Sequence, residues 1–240
     1  MSSDSLLDGE GLEPGLERTP TSIVVDTSGS MTVSVTDSDG NKRPRIEQVN
    51  DGLQLFKDEI GDMEEVKREV DVSIVNFGGD VIVEDEFKPI TDWQPPQLAA
   101  GGGTPMGEAV EKAIDLTRDR KDAYKNENIP YKRPFIWILT DGQPTDMDVG
   151  DDRWDEIKQR ISEGEDNKRF ALFIMTVGED ADTETIRQLH PDRTVELKDG
   201  MFKEYFEFLS NSVEEVSGVA VGEEPDVDGA ASEVEDIFKM

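Results

Sequence analysis

The sequence predicts an α/β protein: a mostly parallel central sheet with one antiparallel edge strand and helices on both faces. Three observations carry that expectation. Strand-like and helix-like hydrophobic patterns alternate along the chain, which implies right-handed βαβ crossovers. Phe135-Ile136-Trp137-Ile138-Leu139 is apolar throughout, as in a parallel strand covered on both faces. The β-rich runs 72–77 and 81–83 are separated only by Gly78-Gly79-Asp80, a loop so short that it forces an antiparallel hairpin.

Each element follows in order. Ile23-Val24-Val25 is a short apolar strand entering a Ser/Gly turn. Ile46, Val49, Leu53, Phe56 and Ile60 recur every three or four residues and form one face of an amphipathic helix. After the hairpin, Met106, Ala109, Val110, Ala113, Ile114 and Thr117 make a second helical face. The run 135–139 leads to a helix around 152–163 and then to a second buried strand, Phe170-Ala171-Leu172-Phe173-Ile174-Met175. A short helix near 183–189 precedes a strand at Thr194-Val195-Glu196-Leu197. Phe202, Tyr205, Phe206, Leu209, Val213 and Val216 line the last amphipathic helix. Residues 1–19 and 218–240 are rich in Gly, Pro, Ser and acids without sustained periodicity, and read as acidic tails around one domain over 20–217. Val234, Ile237, Phe238 and Met240, at roughly helical spacing, read as a fraying helix.

Composition narrows the function. The chain has 56 acidic against 25 basic residues, a net charge of −31 and no Cys. Phosphate backbones need Lys/Arg clusters, so nucleic-acid binding is not expected. Without cysteine there are no disulfides, thiol nucleophiles or Cys-based zinc sites. No apolar run is long enough to span a bilayer, and MSSDSLLDGEGLEPG lacks the basic start and apolar stretch of a signal peptide, so a soluble, cytoplasmic protein is expected. The two ends carry only a minor share of the negative charge, which therefore coats the fold itself. That pattern suits a halophilic protein in a salt-rich cytoplasm, where the Debye length falls to about 3 Å at molar salt.

In parallel sheets ligands bind beyond the carboxyl ends of the strands, where strand order reverses. Three loops place polar residues there: Asp26-Thr27-Ser28-Gly29-Ser30-Met31, Gly101-Gly102-Gly103-Thr104-Pro105, and Thr140-Asp141-Gly142-Gln143-Pro144-Thr145-Asp146. Ser28, Ser30 and Thr104 offer hydroxyls, and Asp26 and Asp141 offer carboxylates. Hard oxygen donors without His or Cys select Mg²⁺, Mn²⁺ or Ca²⁺ over zinc or copper. Hydroxyls that bind directly, with carboxylates behind waters, leave the ion incompletely neutralised and attractive to a partner's Glu or Asp. Each residue also has a plain role: Asp26 and Asp141-Gly142 as turns, the serines bonded to nearby backbone, Thr104 as a helix N-cap before Pro105. The glycines at 101–103 are expected to let the chain approach the ion, and Asp146 and Asp148 to stand as rim acids that repel an acidic partner at low salt.

Asp26-x-Ser28-x-Ser30 with Thr104 and Asp141 closely resembles the metal-ion-dependent adhesion site of von Willebrand factor A (VWA) domains, and the resemblance extends over about residues 20–217. DTSGSM, GGGTPMGEA and ILTDGQPTD look particularly like the bacterial and archaeal VWA proteins associated with tellurium resistance. The resemblance implies a Rossmann-like three-layer fold. It also implies Ser28, Ser30 and Thr104 as metal-contacting hydroxyls, with Asp26 and Asp141 acting mainly through water. The family implies a Mg²⁺-dependent protein-binding module, often a scaffold beside kinases, phosphatases or ATPases. One departure is the stretch 32–44, longer than expected beside such a site. Val33-Ser34-Val35 and Asp39-Gly40 suggest a small hairpin there, forming part of the rim; Gly40 and the lack of a terminal Glu exclude a calcium loop.

Catalysis is not expected. A phosphatase-like Asp26 would want a second acid where Ser28 stands, and Gly101–Gly103 lacks a nucleotide loop's lysine. His190, before Pro191, reads as a surface turn residue without a partner. A metal-dependent hydrolase therefore ranks below a VWA subunit of an AAA+ ATPase or chelatase machine, and both rank below a binding module. Trp137 reads as core, and Trp93 and Trp154 as rim or surface.

Overall fold

The computed structural model describes residues 15–178 and 181–218. The chain begins with β1 (Thr19–Asp26), a 3-10 turn at Gly29–Thr32, and a small antiparallel pair, β2 (Ser34–Thr36) and β3 (Lys42–Pro44). Two helices follow, α1 (Arg45–Asp62) and α2 (Val66–Glu69), then the hairpin of β4 (Val70–Gly78) and β5 (Asp80–Pro89). Next come α3 (Met106–Glu127), β6 (Phe135–Thr140), α4 (Asp152–Asp166) and β7 (Ala171–Val177). The described chain closes with α5 (Thr183–Leu189), β8 (Thr194–Leu197) and α6 (Phe202–Ser217).

The main sheet runs β5-β4-β1-β6-β7-β8. All its pairings are parallel except β4 with β5, so the expected antiparallel edge strand is present. Successive residues of a strand face opposite sides. Ile23 and Val25 accordingly enter a core shared with α1 and α6, while Val24 enters a second core shared with α3, α4 and α5. Trp137 is fully buried and stacks on Phe173, its register partner on β7, at 4.3 Å between ring centroids. Helices cover both faces, as a strand that is apolar throughout requires.

Several expectations need correction. The stretch read as a tail over 1–19 ends too far along the chain. Thr19 opens β1, and Arg18 is buried and ion-paired with Asp71 on β4. Asp71 also accepts from Arg120 at 2.7 Å and from the Tyr124 hydroxyl, so α3 is fastened to the same point. The residues 19–22 escaped notice because they are polar, yet Thr19, Thr21 and Ser22 are buried, and Ser22 bonds Ser73 across the pairing at 3.0 Å. Trp93 and Trp154, placed at the surface by sequence, are buried. His190 is also buried, with Nε2 2.9 Å from the Leu172 carbonyl oxygen. The insertion 32–44 does form a hairpin, with Asp37 bonded to the Asn41 amide at 2.7 Å. The segment holding Val234, Ile237, Phe238 and Met240 lies outside the described residues. Among the described residues no helix is long and apolar enough to cross a membrane.

Sheet order sets the location of the site. From β1 the chain crosses to β4 on one side and later to β6 on the other, so the strand order reverses about β1. The crevice beyond the carboxyl ends of β1 and β6 is where such sheets hold ligands.

Candidate metal centre

Asp26, the last residue of β1, is fully buried. Its Oδ1 accepts from the Ser28 amide at 2.8 Å, a local turn that folds the Ser28–Ser30 segment back over the strand end. Its Oδ2 accepts from the Thr140 hydroxyl at 2.6 Å, which ties the ends of β1 and β6 together. Burial pushes the Asp26 carboxyl up to about 6, although hydrogen bonds from Ser28 and Thr140 pull the other way.

The hydroxyls form a chain from there. Ser28 Oγ lies 2.9 Å from Ser30 Oγ, and Ser30 Oγ donates to Asp141 Oδ1 at 2.6 Å. Asp141 Oδ2 accepts from Arg45 Nη1 at 2.8 Å. Arg45, the first residue of α1, is itself buried and grips Asp199 with Nε and Nη2, both at 2.8 Å. Thr104 arrives from the loop before α3. Its amide donates to Thr145 Oγ1 at 3.0 Å and its carbonyl accepts from the Thr145 amide at 2.9 Å, so the loop after β6 holds it in place.

Gly142 shows how close these groups come. A Cβ at that position would lie 3.5 Å from Thr104 Oγ1, 3.8 Å from Ser30 Oγ and 4.0 Å from Asp26 Oδ2. The glycine, on the third loop, therefore leaves space bordered by oxygens from the other two. Asp26, Ser28, Ser30, Thr104 and Asp141 are thus brought together, as the sequence predicts.

Two neighbouring expectations change. The glycines at 101–103 also tie the loop to neighbouring backbone. Gly101 N donates to Thr27 O at 2.7 Å, Gly102 O accepts from Gly29 N at 3.1 Å, and Gly103 O accepts from Gly79 N at 2.9 Å. Gly102 has φ +83°, and a Cβ there would stand 2.7 Å from the Gly79 backbone. Only glycine permits that contact. Asp146 is not a free rim acid: its carboxylate accepts from the Gly107 and Glu108 amides at 3.1 and 2.9 Å, capping α3 in place of Thr104. Asp146→Ala is expected to cost about 1–2 kcal/mol, read by urea unfolding.

The chemistry of the donors fits a hard cation. Among the described residues no three His, Cys, Asp or Glu side chains gather as a metal group, so an ion here would rely on hydroxyls. Three hydroxyls and two carboxylates suit Mg²⁺, Mn²⁺ or Ca²⁺ and offer nothing to a soft metal.

No family model matches the sequence, and no curated protein does either. Solved structures do resemble the fold. The vWF domain of the type V pili tip protein Mfa5 from Porphyromonas gingivalis superposes with a TM-score of 0.56 at 9% identity, over 88% of this chain and 99% of that one. This is a von Willebrand factor A fold. BatB from Bacteroides thetaiotaomicron, a conserved hypothetical protein, gives a TM-score of 0.50 at 16% identity, covering 84% of this chain and all (100%) of that one. A D319A mutant of the PilB minor pilin from Streptococcus sanguinis gives 0.53 at 14% identity over 84% of this chain, which spans 62% of the pilin's length.

Within the VWA fold three contributors had escaped sequence reasoning. Thr140 belongs to the third polar loop in the sequence reading but is given no role there, yet its hydroxyl bonds both Asp26 and, at 3.3 Å, the Gly142 carbonyl. A hydroxyl directly before the Asp-Gly turn was the available signal. Arg45 and Asp199 carry no local signal, because their pairing spans 154 positions of sequence.

Proposed function

We propose that this VWA-fold chain is a divalent-cation-dependent protein-binding module. Ser28, Ser30 and Thr104 would hold Mg²⁺, or Mn²⁺ or Ca²⁺, through their hydroxyls, with Asp26 and Asp141 mainly behind water. The bound cation would supply a Lewis-acidic position for a Glu or Asp of a partner protein. The observation that carries this reading is the space at Gly142, bordered by Thr104 Oγ1, Ser30 Oγ and Asp26 Oδ2. Arg45 supports it by occupying the far oxygen of Asp141, which leaves the near oxygen turned toward the serines.

The role is binding rather than catalysis. His190, the one histidine, is engaged with backbone and stands 3.7 Å from Glu165, part of the support beneath β7. A scaffold beside a kinase, phosphatase or AAA+ ATPase, in a salt-rich cytoplasm and in the company of tellurium-resistance VWA proteins, completes the reading.

Gly142→Ala tests it without substituting any of the five residues. Gly142 lies outside the positive-φ region, and the added methyl meets only ordinary contacts, so the fold is expected to persist. Calorimetric Mg²⁺ binding, and EDTA-sensitive retention of an acidic partner that free glutamate competes away, are expected to be lost. Wild-type Mg²⁺ affinity in this variant would refute the site.

A further inference from the structure

A second polar concavity lies at the other end of α3, about 22 Å along the helix from Met106 at 1.5 Å per residue. It is a cleft of about 380 Å³ between the later turns of α3 and α4, closed by the segment that leads into β7. Five cations line it, Arg118, Lys121, Lys125, Arg160 and Arg169, against two acids, Asp122 and Glu163. Such a surplus of positive charge is exceptional in a chain with 56 acids and 25 bases.

Three of the cations are matched. Arg118 pairs with Asp115 and Asp119, Arg160 with Glu111 and Asp115, and Lys125 with Asp122. Lys121 and Arg169 are not. Lys121 Nζ donates to the Arg169 carbonyl at 2.6 Å and lies 5.8 Å from the Tyr131 ring centroid. Neither Lys121 nor Arg169 has a carboxylate partner among the described residues. Ile114 and Phe170 give the cleft an apolar wall.

We propose that this cleft binds a small phosphate-bearing anion, with Lys121 and Arg169 as its principal contacts. A phosphate oxygen can accept from the ammonium and the guanidinium together, and charge-assisted bonds of that kind are among the stronger polar contacts. Arg118, Arg160 and Lys125 are largely neutralised by their acids, one of which, Asp122, also lines the cleft, so Lys121 and Arg169 carry the binding. Burial, with Lys125, Arg169 and Arg133 nearby, lowers the Lys121 ammonium to about 8, although Asp122 pulls the other way. A bound anion relieves that crowding of like charges, so binding is expected to draw a proton onto Lys121 in mildly alkaline buffer. The site is independent of the cation-binding reading of the strand-end cluster.

Inorganic pyrophosphate is the probe, titrated calorimetrically into the full chain at fixed KCl with EDTA present, so that no divalent ion contributes. Saturable binding is expected, weakened at least about tenfold by Arg169→Gln, whose side chain is exposed and whose loss leaves the fold intact. Lys121→Gln is expected to weaken it similarly and to abolish the proton uptake seen at pH 8 in buffers of different ionisation enthalpy. Lys203→Gln, on an exposed position of α6, is expected to change nothing. Absence of saturable binding at millimolar pyrophosphate would overturn the proposal, as would binding that Arg169→Gln leaves unchanged.

Discussion

Asp26→Asn is expected to make the metal-free protein more stable at neutral pH while abolishing every response to Mg²⁺. The carboxyl of Asp26 is fully buried, and burial raises it from 3.8 to about 6. A folded-state value above the unfolded one means that the native form holds the proton more tightly. The charged carboxylate therefore destabilises the fold progressively as pH rises from about 4 to 6, and by the full amount above that. At about 1.4 kcal/mol per unit the penalty reaches at most about 3 kcal/mol. An Asn amide can still accept from the Ser28 amide and can donate to Thr140, so the geometry survives without the charge. Thermal melts in EDTA are expected to show the variant ahead of wild type at pH 8, and level with it near pH 4. Equal stability at pH 8 would show that the carboxylate is not penalised there. The same penalty explains how a cation would gain affinity: it stabilises a carboxylate that the empty fold holds at a cost.

Arg45→Met carries the second large effect. The guanidinium is buried and joins two carboxylates from different parts of the chain, Asp141 after β6 and Asp199 before α6. Asp199 is partly exposed and can recover hydration, whereas the Asp141 side chain is fully buried. Removing one partner of a buried pair costs about 3–5 kcal/mol, because the remaining charge stays uncompensated. Urea unfolding is expected to show a loss in that range, and a much smaller one in an Asp141→Asn background, where no orphaned charge remains. Arg45→Lys is expected to restore only part of it, since one ammonium cannot reproduce a bidentate grip on Asp199 together with a third bond to Asp141. Similar losses in both backgrounds would show that packing, not charge, sets the cost.

The parts of the fold that were legible share one property: their signal is local. Phe135 to Leu139 announces a covered strand by itself, and Gly78-Gly79-Asp80 announces a hairpin because no longer connection is available. The strand-end residues were legible for the same reason. Asp26, Ser28 and Ser30 lie within five positions, and Thr104 and Asp141 each follow a loop or strand signal. What stayed hidden depends on distant partners. Arg18 looks like a tail residue until Asp71 is placed beside it, and Arg45 looks like a solvated first-turn arginine until Asp199 arrives. Trp93 and His190 sit in short stretches without periodicity, so nothing local indicates that they are buried, whereas Trp154 stands in helical register with Ile157 and Ile161 on α4, a local signal that goes unread. From sequence, the glycines at 101–103 suggest room for an ion. The structure shows their backbones bonded to those of Thr27, Gly29 and Gly79, with glycine itself required at Gly102.

The bonds that close the strand-end cluster join residues far apart in sequence, 111 positions for Ser30 with Asp141 and 114 for Thr140 with Asp26. During synthesis the serines therefore leave the ribosome long before the carboxylate they meet has been translated. Arg45 waits longer still, until the segment bearing Asp199 is made. No N-terminal fragment ending before Asp141 can assemble this corner of the molecule, and closing so large a loop sets a high entropic threshold for its birth.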